Sequence, residues 1–415
     1  MVLEGYERAL LEGVAARADV LVGRATVWAG INSGSRHLEG LERQRAVLEE
    51  AFSVLPGRVE ALPLEPSAEV DAEGRPIVQH HPDAIRVTVR PEAPVQVVLT
   101  GHYDTVYPAE SAFQAVAKRA DGALNGPGIA DMKGGLSVML GALEALEGHP
   151  GADALGYRVL LSPDEEIGSP ATAGLLADLA RGAHVGLTYE PALGDGALAS
   201  SRKGSGNFAV AVQGRAAHAG RDFAAGRNAV AAAARLAAAL DGLNGRREGV
   251  TLNVARIEGG GPLNMVPASA VVRFNARVLD AEGAAWIEAA VDQQIAACRA
   301  EGVSFRRHGG MTRAPKPINA AQQRLFDQVR RTASLMGLDL QWKPSGGVCE
   351  GNNLFAAGLP NLDTLGVRGG DIHSENEHAW PDSFVERAQL SALILGRMAD
   401  GAIDARALKA AMVEG

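Results

Sequence analysis

Several places along the chain put an imidazole or a carboxylate at the end of an apolar run. His102 and Asp104 follow the run VQVVLTG from Val95, and Glu165 with Glu166 follows YRVLL from Tyr157. Glu190 closes the run that begins at Val185. Asp131 sits in the glycine-rich NGPGIADMKGG, and His373 in GGDIHSENEHAW near the C-terminus. In extended chain, residues two apart point the same way, so His102 and Asp104 share a face. A carboxylate beside an imidazole is a common way to hold a metal-binding ring in one tautomer. Several acids and two histidines at one edge of a sheet make a site for two divalent cations. Mixed nitrogen and oxygen donors suit Zn²⁺, with Co²⁺ or Mn²⁺ as further candidates. One carboxylate can bridge two cations, and Asp131 on its tight loop is the natural candidate. Glu165 and Glu166 are adjacent and need separate roles. One can ligate while the other takes the proton of a water acidified by the metal, the core of metal-assisted hydrolysis.

Those side chains need a scaffold that brings strand ends to one edge. Buried apolar runs alternate with helical stretches up to about residue 200, which predicts an α/β sheet with its ligands at the strands' C-terminal ends. IRVTV (85–89) and the Val95 run are expected as adjacent strands. After residue 200 the order becomes strand (Asn207 to Val212), helix, two strands (Thr251 to Ile257, Val271 to Val278) and helix, the make-up of a small α+β domain. HGGMTRAPKP (308–317) and SGGVCEGNN (345–353) read as loops, with helices at Ala320 to Met336 and from Phe384. The expected architecture is therefore α/β, a mixed, mostly parallel sheet flanked by helices, with a smaller α+β domain inserted. The catalytic metal-binding domain would span residues 1–200 plus 312–415, and the insertion 201–311.

Composition narrows the class. Lys and Arg total 40 against 49 Asp and Glu, a net charge of −9 with no long basic run. That argues against a nucleic-acid or anionic-membrane surface. The two cysteines, Cys298 and Cys349, form no zinc knuckle and no disulfide framework. The first residues, MVLEGYERALLEGV, carry acids where a secretory signal would be apolar, and no window reaches membrane-spanning length. The expected location is the cytoplasm. A serine hydrolase is disfavoured by the lack of a Gly-x-Ser-x-Gly elbow.

Taken in order, GHYDTV, NGPGIADMKGG, SPDEEIGS, YEPA and GGDIHSENE resemble the motifs of a co-catalytic metallopeptidase superfamily. It includes acetylornithine deacetylase, succinyl-diaminopimelate desuccinylase, aminoacylase and the bacterial glutamate carboxypeptidases, to which the match is nearest. The resemblance implies His102 and Glu190 on one metal, Glu166 and His373 on the other, and Asp131 as the bridge. Asp104 would orient His102, Glu165 would be the general base, and the Asp131–Met132 peptide would be cis. In the insertion it implies three further residues: His218 in GRAAHAG, Asn264 in GGGPLNMVP and Arg277 in FNARV. His218 would bind the scissile carbonyl oxygen, often from a partner subunit, while Asn264 and Arg277 grip the substrate's carboxylate. The insertion would serve as lid and homodimer interface. Gly346 and Gly347 would let backbone N–H groups approach the substrate. Cys349 and Glu350 depart from the small and aspartate residues expected there. The implied activity is hydrolysis, by two zinc ions, of a peptide or N-acyl amide bond beside a free-carboxylate amino acid. An N-acyl amino acid deacylase is the alternative of the same chemistry, and a non-catalytic ligand-binding relative the alternative of another class.

Overall fold

The fold is a computed structural model describing residues 3–412; residues 1–2 and 413–415 at the ends of the expected catalytic domain lie outside it. Its main sheet has six strands in the order Arg58–Leu62, Ala84–Val89, Leu155–Ser162, Val95–His102, Val185–Thr188 and Asn361–Leu362. The first two pairings are antiparallel and the other three parallel. The strands are mostly buried along their length, as sheets covered on both faces require. One face packs on the helices Ala18–Ala29, Lys133–Leu146 and Pro381–Ala399 through Leu21, Leu136, Leu140 and Ile394. The other is covered by Ala173–Arg181 and Glu350–Ala356 through Leu176, Leu179 and Leu354.

The two strands expected as neighbours are not neighbours. Leu155–Ser162 lies between Ala84–Val89 and Val95–His102. The short Pro91–Pro94 connection suggests a hairpin, but a crossover through Lys133–Leu146 brings the later strand in parallel and fills that place.

Residues 204–313 build a second, fully antiparallel sheet, in the order Thr251–Gly259, Ser269–Val278, Gly204–Gln213, Ser304–Arg313. The helices Ala229–Asp241 and Ala281–Ala297 cover one face through Leu236, Leu240, Ile287 and Val291. On the opposite face, the hairpin Ser67–Val70/Pro76–Gln79 reaches over from the main body. Val70 packs there on Ala209 and Val271, and Arg273 Nη2 donates to the Val70 carbonyl at 2.7 Å. A buried ion triad pins the points where the chain passes between the two sheets. Arg202 grips Asp363 with two bonds of 3.0 Å, and Lys316 Nζ reaches the same carboxylate at 2.7 Å.

Two stretches read as loops are regular structure. HGGMTR forms the second half of the edge strand Ser304–Arg313. Its glycines fit a tight approach rather than a turn: a Cβ at Gly309, where φ is +74°, would stand 2.1 Å from the Asn207 carbonyl oxygen. Glu350–Ala356 is a helix, capped by the Cys349 thiol, which accepts from Gly351 N at 3.3 Å. No helix among the described residues is long and apolar enough to cross a membrane.

Candidate metal centre

Three parallel strands end side by side, and each delivers a donor at or just beyond its last pairing. His102 ends its own strand, opposite Ser162, and Glu165 and Glu166 follow Ser162 on a short 3-10 turn. Glu190 follows Thr188. Asp131 enters from the loop that opens the helix Lys133–Leu146, and the Asp131–Met132 peptide is cis. His373 comes from a loop in which Asp371 and His373 are both left-handed (φ +53° and +64°).

Two groups of possible ligands result: His102, Asp131 and Glu190, and Asp131, Glu166 and His373. Asp131 belongs to both and divides its oxygens between them. Its Oδ1 is 3.2 Å from His102 Nε2, and its Oδ2 is 3.4 Å from His373 Nε2. Glu166 Oε2 lies 3.2 Å from His373 Nε2, and Glu190 Oε1 lies 3.9 Å from His102 Nε2.

The donor set fits a pair of divalent cations. His102 Nδ1 faces the Asp104 backbone carbonyl at 3.0 Å, with the Asp104 carboxylate at 3.3 Å. A carbonyl only accepts, so Nδ1 carries a ring proton, and Nε2 is the ring atom that faces the oxygens of Asp131 and Glu190. Acceptors gathered that closely need a proton or a cation among them. Glu190 Oε1 is buried with no hydrogen-bond partner. The charge balance says the same. Burial pushes Glu166 up to about 8, with the Asp131 charge adding to it. Burial, then Asp131 and Glu165, pushes Glu190 well above the carboxylate range. Burial also acts to raise Asp131, but the bonds to both imidazoles overcome it and hold this carboxyl well below its usual range. Hydrogen bonds to Asp131 and Glu166 lift His373 to about 11.

Asp104 does more than face His102. Its carboxylate accepts the backbone N–H groups of Glu165 and Glu166, each at 3.1 Å, and the Ser35 hydroxyl at 2.7 Å. It thus ties the His102 strand end to the Glu165 turn.

A cavity of about 530 Å³ opens over this cluster, lined also by Arg277, Asn275, Asn207, Arg313 and Gly347. Arg277 uses only Nε, donating to Asn275 Oδ1 at 2.8 Å, and its buried Nη1 has no partner. A guanidinium left open beside a cavity suits a carboxylate. Gly347 lines the cavity, though its N–H already donates to Ser345 Oγ at 3.2 Å. His218 and Asn264 are not brought there. They lie together at the short pairing of Ala217–His218 with Met265–Val266, exposed, with the Asn264 carbonyl accepting from Ala219 N. Neither lines the cavity.

Two important residues escape sequence reasoning. Glu377 is buried under the Asp131 loop and accepts from Ala130 N (2.9 Å), Asp131 N (3.0 Å), Gly128 N (3.1 Å) and Tyr107 Oη (2.7 Å). It sits four residues past His373, inside the quoted motif GGDIHSENE, but nothing in its spacing gave it a role. Arg313 bonds Glu165 and falls in the stretch read as loop.

The chain is similar to known metal-dependent hydrolases. Carboxypeptidase G2 of a Pseudomonas species is 27% identical over 295 residues, 67% of this chain and 68% of that protein. A succinyl-diaminopimelate desuccinylase of Methylorubrum populi is 32% identical over 229 residues, 50% of this chain and 58% of its own length. Human carnosine dipeptidase 1 shares the fold, with a TM-score of 0.72 at 17% identity, over 95% of this chain and 100% of that one. The family model for peptidase family M20/M25/M40 matches residues 98–397, from the His102 strand to the last long helix, and the chain belongs to that family of metal-dependent hydrolases.

Proposed function

We propose that this protein hydrolyses a peptide or N-acyl amide bond next to an amino acid bearing a free carboxylate, in the manner of a glutamate carboxypeptidase. The observation that carries the reading is the division of Asp131's oxygens between two His/Glu pairs, beneath a cavity whose wall holds the open guanidinium of Arg277. His102 and Glu190 would hold one cation, Glu166 and His373 the other, with Asp131 shared; Zn²⁺ suits these donors, as do Co²⁺ and Mn²⁺. Bound there, the cations would polarise the scissile carbonyl and acidify a water.

The remaining work falls to the chain's own groups. Glu165 takes the proton of the attacking water and returns it to the leaving amine. Asp104 keeps the His102 ring oriented and the Glu165 turn in place. Arg277, aimed by Asn275, holds the substrate carboxylate, with Gly347 on the cavity wall beside it. His218 donates to the carbonyl oxygen as charge develops, and Asn264 assists at the carboxylate. Because both lie outside the cavity of their own chain, this reading needs a homodimer in which the inserted segment, residues 201–311, presents them to the partner's site. The carboxypeptidase G2 likeness supports a peptide substrate. The desuccinylase likeness supports an N-acyl amino acid as the second reading.

The test is hydrolysis of a panel of dipeptides and N-acyl amino acids by wild type and by Glu165→Ala. The variant is expected to keep two metal ions per chain while turnover falls by about 10²–10⁴-fold. Full activity in that variant would remove Glu165 from the mechanism. Wild type inert on the whole panel would favour the non-catalytic alternative.

A further inference from the structure

Among the described residues, one donor alone holds the Glu165 side chain. Arg313 Nη1 donates to Oε1 at 2.6 Å, and both side chains are buried. The second arm of the same guanidinium donates to the Glu165 carbonyl at 3.2 Å and to Ser169 Oγ at 2.7 Å. One planar fork therefore grips the carboxylate, the backbone beneath it and the far end of the turn Glu165–Ser169. A lysine could not span these points. No donor among the described residues bonds Glu165 Oε2.

Arg313 does not belong to the sheet that carries Glu165. It is the last residue of Ser304–Arg313 and pairs with Ser205 across the second sheet. Between that pair and Gly206↔Met311 the register slips by one residue at Thr312, a bulge of the kind that re-aims a neighbouring side chain. Arg313 also differs from Arg277 in what it has left to offer. Both terminal nitrogens of Arg313 are engaged and only Nε lacks a partner, whereas Arg277 keeps a terminal nitrogen open.

We propose that Arg313 is a positioning residue for the reaction. It fixes the Glu165 carboxylate with Oε2 free for the proton, and it makes the attitude of the base depend on how the second sheet is seated. The inference rests on Glu165 being the general base.

The test is a double-mutant cycle with R313A, E165Q and E165Q/R313A, reading kcat, KM, metal content and melting temperature. R313A is expected to lower kcat about 100-fold, the scale of a 1 Å misplacement of a reacting group, while KM and two metals per chain are retained. Adding R313A to E165Q should change nothing further, and guanidinium ion in the assay should restore part of the kcat of R313A. A raised KM with intact kcat would make Arg313 a substrate ligand and overturn the proposal. So would an equal loss of kcat in the E165Q background, or loss of metal. If R313A does not fold, R313K carries the test: it keeps the charge without the fork, and unchanged kcat in that variant overturns the proposal. E165Q at full activity would sink the general-base reading itself, whereas inactive E165Q beside normal R313A would sink only this inference.

Discussion

Glu377 cradles Asp131 from below: its Oε1 accepts the Asp131 backbone N–H at 3.0 Å and the Ala130 N–H at 2.9 Å, while Oε2 takes Gly128 N and Tyr107 Oη. Asp131 can divide its oxygens between two ligand groups only if its backbone stays where this carboxylate holds it. Glu377→Ala would leave buried donors unpaired, at about 1–3 kcal/mol for each that water fails to reach. The variant is expected to unfold at lower urea concentration than wild type and to bind metal about 10–100-fold more weakly, the usual effect of removing a group that orients a ligand. Denaturant titration and competition with a chelating dye measure the two effects.

Asp131→Asn tests the shared ligand directly. The amide keeps the shape but gives up the charge and one acceptor. Elemental analysis is expected to fall from two metal ions per chain to fewer than one, with hydrolysis lost. Dialysis of wild type against a chelator should have the same effect on activity, reversed by Zn²⁺, Co²⁺ or Mn²⁺. Retention of one firmly held metal in Asp131→Asn would mean that the two groups do not share this carboxylate.

Metal binding should depend steeply on pH. A cation needs Glu166 ionised and His373 neutral, whereas the metal-free groups sit at about 8 and about 11. Binding at this pair therefore expels two protons below about pH 8 and one between about 8 and 11. Affinity rises with pH up to about 11, by about 100-fold per unit below about 8 and about 10-fold per unit between the two. Calorimetric titration in buffers of different ionisation enthalpy counts those protons; a pH-independent affinity would contradict the assignment.

Arg277 should affect substrate capture rather than turnover. Losing a charged hydrogen bond of about 1.5–3 kcal/mol corresponds to a KM about 10–100-fold higher in Arg277→Ala, with kcat changed much less. Arg277→Lys should fall between, since an ammonium supplies the charge without the two-point fork. Esterifying the substrate's carboxylate should erase the difference between wild type and Arg277→Ala.

By itself, the amino-acid sequence pointed to metal-assisted hydrolysis and picked out the five side chains that the fold gathers into two groups of possible ligands. His102, Glu165, Glu166 and Glu190 follow apolar runs short enough to be buried strands, and a parallel sheet lines up the C-terminal ends of such strands, so their convergence is a local inference repeated three times. Asp131 and His373 were legible through their glycine-rich surroundings and the order of motifs. Pairing order was not, because apolar alternation says that a segment is a strand and not which strand lies beside it; hence Leu155–Ser162 took a place that a hairpin reading would have left closed. The strand HGGMTR and the helix at Glu350 hid behind glycines whose reason is close approach to neighbouring backbone or side chains, a property of the packed chain. For the same reason only the tertiary structure joined Arg313 to Glu165, 148 residues apart, and Glu377 to Asp131, 246 apart, while keeping His218 out of its own chain's cavity. Donor type is written residue by residue; which donor meets which acceptor is decided when two sheets and their loops close on one another.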